Sequence, residues 1–88
     1  MLVTVQLAED AARAVQAHRA PAELHELADR LGIVFQPLHP GSRDWALMTF
    51  FAVEVPDAAG AERVIAALLR SPHVAAAYVK PPDAPPEP

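Results

Sequence analysis

The 88-residue chain contains no cysteine. That excludes a disulfide framework, thiolate chemistry and a cysteine-ligated zinc knuckle. Glycine occurs three times and nowhere forms a phosphate-cradling loop, so nucleotide-binding turns are excluded as well. Aromatics number five. The seven Lys and Arg residues are scattered, against eleven acidic residues and a net charge of −4, so no basic stripe marks a nucleic-acid footprint. No apolar run approaches the ~18 residues of a membrane span. Met1 leads directly into Leu2–Leu7 without a basic segment, which reads as a strand and not a signal peptide. As written the sequence suits a cytoplasmic protein, or a secreted one if an upstream signal was removed.

What remains is a chain that is 52% hydrophobic, rich in alanine and valine, and globular in composition. Its size suits one domain, with residues 1–80 forming the fold. Val3, Val5 and Leu7 alternate with Thr4 and Gln6, predicting a half-buried strand. Residues 8–20 are alanine-rich and weakly helical, with Asp10 able to cap a short turn. Pro21 suits the first position of a helix carrying Leu24, Leu27, Ala28 and Leu31, closed by Gly32. Residues 33–38 predict a second strand, at an edge because of Pro37. Asp44 is placed to cap a single turn bearing Trp45, and residues 48–55 predict a third strand with Phe51, Val53 and Val55 inward. Asp57 caps a helix with the stripe Ala61, Val64, Ile65, Leu68, and residues 74–80 form the last strand.

The order β-α-β-β-α-β predicts an α+β, ferredoxin-like fold: a four-stranded antiparallel sheet with two helices on one face. The other face would carry Phe50, Ala52 and Leu2, with one alternate set from the alanine-rich last strand. That is a candidate docking surface.

Chemistry is sparse. His18, His25, His39 and His73 form no HxH, HExxH or HxxxH pair, so no metal is expected. His18 and His25 flank Pro21 and are not expected to share one helix. Ser42 and Ser71 lack a nucleophile-elbow context. Glu23, Glu26 and Arg30 read as a solvated helix face, and no carboxylates converge as an acid–base pair. The chain is therefore expected to be neither an enzyme nor a cofactor binder, and to have no nucleic-acid or membrane partner.

The last strand runs into Lys80-Pro81-Pro82 and the tail Asp83, Ala84, Pro85, Pro86, Glu87, Pro88. Proline has no N–H for a sheet ladder, so residues 81–88 form an extended arm or a linker. Phe51-Ala52-Val53-Glu54-Val55, the run Ala61–Leu68, the turn Ser71-Pro72-His73-Val74 and Ala77-Tyr78-Val79 before this polar tail resemble the propeptide and inhibitor domains of subtilisin-like serine proteases. The resemblance implies a βαββαβ fold that inhibits a protease, in cis or in trans, or assists its folding. It implies that the open sheet face, with Phe50 and Ala52, packs on two surface helices of the protease. Asp44 or Glu54 would place a carboxylate at a helix N-terminus there. The tail, residues 83–88, would lie in the active-site cleft. Two other readings stay open: a small-ligand regulatory (ACT-like) domain that dimerises, and a generic N-terminal interaction module of a larger protein. The expected state is a monomer or weak dimer.

Overall fold

Strand β1 (Leu2–Leu7) sends Val3, Val5 and Leu7 into the interior, each at most 1% exposed. The computed structural model describes residues 1–39 and 43–79. After β1 come α1 (Glu9–Gln16), α2 (Ala22–Leu31), β2 (Gln36–Pro37), the single turn α3 (Trp45–Met48), β3 (Phe50–Glu54), α4 (Ala58–Leu69) and β4 (Val74–Val79). The sheet order is β2-β3-β1-β4 with every neighbouring pair antiparallel. Thus β1 and β2 flank β3, and β4 lies outside β1. This is the split βαβ, ferredoxin-like arrangement the element order predicts.

Ala11 and Ala12 of α1, Leu24 of α2, and Ala61, Val64 and Leu68 of α4 join Val3, Val5, Leu7, Phe51 and Val53 in one core. Phe51 is fully buried and meets Phe35 edge to face, with centroids 6.3 Å apart. Every long helix therefore packs on one side of the sheet. The small residues of α1 allow the helix to approach closely.

The helical layer has more pieces than the two expected helices, because the first crossover is broken. The helix α1 starts at Glu9 with Ala8 at its N-cap, so Asp10 is not the cap. Asp10 lies in the first turn, its Oδ1 accepting from the Ala11 N–H at 3.0 Å, with Glu9 beside it at the positive end of the helix. The helix ends at a left-handed residue, His18, with φ of 59°. The Arg19 N–H reaches back to the Ala14 carbonyl (2.7 Å) and the His18 N–H to that of Val15 (3.1 Å), the paired bonds of a Schellman ending. A β-carbon in this conformation costs about 1–2 kcal/mol, and glycine usually avoids it. Pro21 then stands at the N-cap of α2, one residue earlier than its expected place inside the helix. The same paired ending closes α2, this time on Gly32 with φ of 68°: Gly32 donates to Asp29 and Ile33 to Ala28.

That second ending shortens β2. Ile33 folds back over α2 and is buried, Val34 is 70% exposed, and Gln36 and Pro37 pair with β3, followed by one more bond from the Leu38 N–H to the Phe50 carbonyl at 3.1 Å. The expected strand 33–38 is thus two residues long. The third strand also starts later than expected, since Met48 belongs to α3 and its N–H donates to the Asp44 carbonyl. The last strand is described to Val79, and Lys80 lies outside the described residues.

Both aspartate caps form. Asp44 Oδ1 accepts from the Ala46 N–H at 2.9 Å, and Asp57 Oδ1 from the Gly60 N–H at 2.7 Å. A β-carbon on Gly60 would lie 3.2 Å from that same oxygen, so the glycine leaves room for the cap. Asp57→Ala removes the acceptor and is expected to cost about 1 kcal/mol. In a domain this size that is a fall in melting temperature of roughly 4–8 °C, readable by thermal denaturation.

Candidate functional site: the open sheet face

Side chains alternate across a strand, so the register decides which residues share the face away from the helices. Thr4 lies opposite Ala52 on one side and Tyr78 on the other, and Gln36 lies opposite Ala52. Gln6 lies opposite Phe50 and Ala76, and Leu2 opposite Glu54. Three rows result: Gln36, Ala52, Thr4, Tyr78; then Phe50, Gln6, Ala76; then Glu54, Leu2. At strand spacings of about 4.8 Å the first row spans roughly 14 Å. Glu54 is the one charged side chain in these rows.

The relief of the face follows from side-chain size. Leu2 and Tyr78 stand 54% and 46% exposed, while the small central residues Thr4 and Ala52, flanked by larger ones, are buried. Phe50 is half-buried. Gln6 is not free to cover it, because its Nε2 donates to Thr49 Oγ1 at 3.5 Å, and that hydroxyl donates to the Ala46 carbonyl at 2.8 Å. The face offers a mixed rim, apolar at Leu2, Phe50 and Tyr78 and polar at Gln36 and Glu54, around a shallow floor.

Of the candidate docking residues, Phe50, Ala52 and Glu54 come together here. Asp44 does not join them on the strand: it stands before α3 with its carboxylate capping that turn. The tail residues Asp83 to Pro88 lie outside the described residues. Tyr78 and Ala76 are face residues that sequence reasoning left open, because alanines occupy both sides of β4. Their assignment comes from the pairing with Thr4 and Gln6.

The broken crossover leaves a second feature. An open cleft of about 800 Å³ lies between the end of α1, α2 and residues 33–37. Val15, Leu24, Ala28, Ile33, Phe35 and Pro37 contribute apolar walls, and His18, Arg19, His25 and Asp29 also line it. His25 Nε2 sits 3.5 Å from Asp29 Oδ2. Its sequence signal was Pro21 between two helical patterns. His73 is also more than a loop residue. It is half-buried, its carbonyl accepts the Ala8 N–H at 2.8 Å, and its Nε2 lies 3.6 Å from Glu23 of α2. Among the described residues no three His, Cys, Asp or Glu side chains cluster as a metal site, and no helix is long and apolar enough to cross a membrane.

Comparison with known proteins gives no match: no family model fits the chain, and no curated protein or solved structure is significantly similar to it.

Proposed function

We propose that this chain is a non-enzymatic docking domain that binds a subtilisin-like serine protease as inhibitor, folding chaperone or both. One observation carries the reading: the helices pack on one side of the sheet, leaving a face with Phe50, Leu2 and Tyr78 around a small-residue floor, with Glu54 the one charge among its described residues. A face of this kind on a small domain marks a protein-binding surface. Its resemblance to protease propeptides in strands β3 and β4 names the partner class. Glu54, exposed at the end of β3, is the carboxylate placed to meet a helix N-terminus on that partner.

The second element is the chain's end. Strand β4 is an edge strand, and residues 80–88 follow Val79 directly. In the proposed complex they lie extended in the protease cleft. A proline-rich arm is pre-ordered and loses less entropy on binding. Its missing N–H groups also hinder the strand pairing that cleavage requires, which favours a lasting inhibitor over a rapidly cut one. Because the domain binds only the native protease, mass action would favour that state.

Deleting residues 81–88 tests the cleft model. The truncated chain is expected to raise the inhibition constant at least about 100-fold, the loss of contacts totalling roughly 2.7 kcal/mol. An unchanged inhibition constant would make the tail a linker. The cleft beside α2 favours a second reading, a small-ligand domain, since its volume is that of a ligand pocket.

A further inference from the structure

The break between α1 and α2 leaves the cleft beside α2 open to water, and its walls divide by chemistry. Leu24 and Ala28 of α2, with Ile33, Val34 and Phe35, form one apolar surface. Val34 carries it furthest outward, with 70% of the residue exposed. An aliphatic side chain in that position gains by being covered. The volume, about 800 Å³, lies in the range of small-molecule sites.

The basic part of the lining gathers where α1 gives way to α2. His18 and Arg19 stand there, with His25 one turn into α2. Asp29 is the one carboxylate among the lining residues, and it stands about 10 Å along α2 from Ala22, the helix's first residue. It already faces His25, with 3.5 Å between Oδ2 and Nε2. Arg19 differs: among the described residues its guanidinium has no acidic partner. A guanidinium keeps its charge at any physiological pH and presents a fork of N–H donors that matches a carboxylate. The chain holds Arg19 at this end through a strained neighbour, His18, whose φ of 59° is one that residues with a β-carbon seldom adopt.

We propose that the cleft binds an aliphatic monocarboxylate, its head on Arg19 and its chain along Leu24, Ala28, Val34 and Phe35. Apolar walls alone would accept any apolar body. The unpaired cation at one end selects an anionic head and sets the direction of the chain. A cationic head gains less at the other end, because Asp29 has His25 beside it. The proposal rests on the small-ligand reading of this cleft and is independent of docking at the sheet face.

Decanoate is the probe, titrated into the intact, isotope-labelled chain while backbone amide shifts are followed by NMR. The amides of Arg19, Val34 and Phe35 should move and saturate with a dissociation constant on the order of 100 µM. Decyltrimethylammonium, the same chain with a cationic head, should bind at least about tenfold more weakly, and Arg19→Gln should remove that difference. Val34→Asp, at an exposed position, should leave the fold intact and weaken decanoate at least about tenfold. Phe50→Asp, on the sheet face, should leave decanoate binding unchanged. Equal binding of the two amphiphiles in the cleft, or decanoate affinity untouched by Arg19→Gln, would overturn the carboxylate assignment and leave a ligand site of another class. Cleft amides unmoved by either amphiphile would remove the small-ligand reading as well. Decanoate shifts centred on Phe50 and Tyr78, and lost with Phe50→Asp, would put the binding on the sheet face and also overturn the proposal.

Discussion

Phe50→Asp is expected to abolish binding to a subtilisin-like protease while the domain stays folded. Phe50 is half-buried on the open face, opposite Gln6, and points away from the core that Phe51 and Val53 enter. In the proposed complex its ring is buried against the partner. An aspartate there would be desolvated without a counter-charge, a penalty of several kcal/mol at the centre of an interface. The inhibition constant should rise by at least about 100-fold. Within the free domain the new carboxylate can reach water, so the loss of stability should stay near 1 kcal/mol. Paired measurements of inhibition and thermal unfolding separate the two effects. Unchanged affinity in a folded variant would remove the open face from the binding model.

The neighbouring substitution has the opposite profile. Phe51→Ala is expected to destabilise the domain severely. Phe51 is fully buried, lies opposite Val5 in the ladder and meets Phe35 edge-on. Removing a buried phenylalanine costs about 3–5 kcal/mol, because a cavity replaces its contacts. A domain of this length has a total stability of roughly 4–13 kcal/mol. The melting temperature should fall by at least about 15 °C, and at the lower end of that range no cooperative transition should remain. A loss under about 1 kcal/mol in denaturant titration would contradict the assigned core. Two adjacent phenylalanines with such different outcomes follow from the two-residue period of a strand.

That period is also why much of the fold could be read from the sequence. Val3, Val5 and Leu7 alternate cleanly, as do Phe51, Val53 and Val55, and all six are buried. The stripe of α4 and the caps Asp44 and Asp57 are local patterns decided within a turn or two. The broken crossover was not legible in the same way. Its first helix closes on His18 in a conformation that glycine usually takes, and nothing in the residue type announces it. The second strand shrinks because Ile33 is drawn back over α2 by the helix ending, a competition between two local structures for one residue. Which alanines of β4 face outward depends on pairing with Gln6 and Thr4, residues about 70 positions away in sequence. Hydrophobic patterning carries no signal where both faces are alanine. The candidate face was thus legible at Phe50, Ala52 and Leu2 and incomplete at Tyr78 and Ala76. Asp44 was legible as a cap, and that role separates it from the face.

The most direct measurement is titration of the intact chain against a subtilisin-like serine protease, following hydrolysis of a chromogenic peptide. Competitive inhibition is expected, saturable and lost with Phe50→Asp. Undiminished hydrolysis across several such proteases, with the folded domain in excess at hundreds of micromolar, would contradict it.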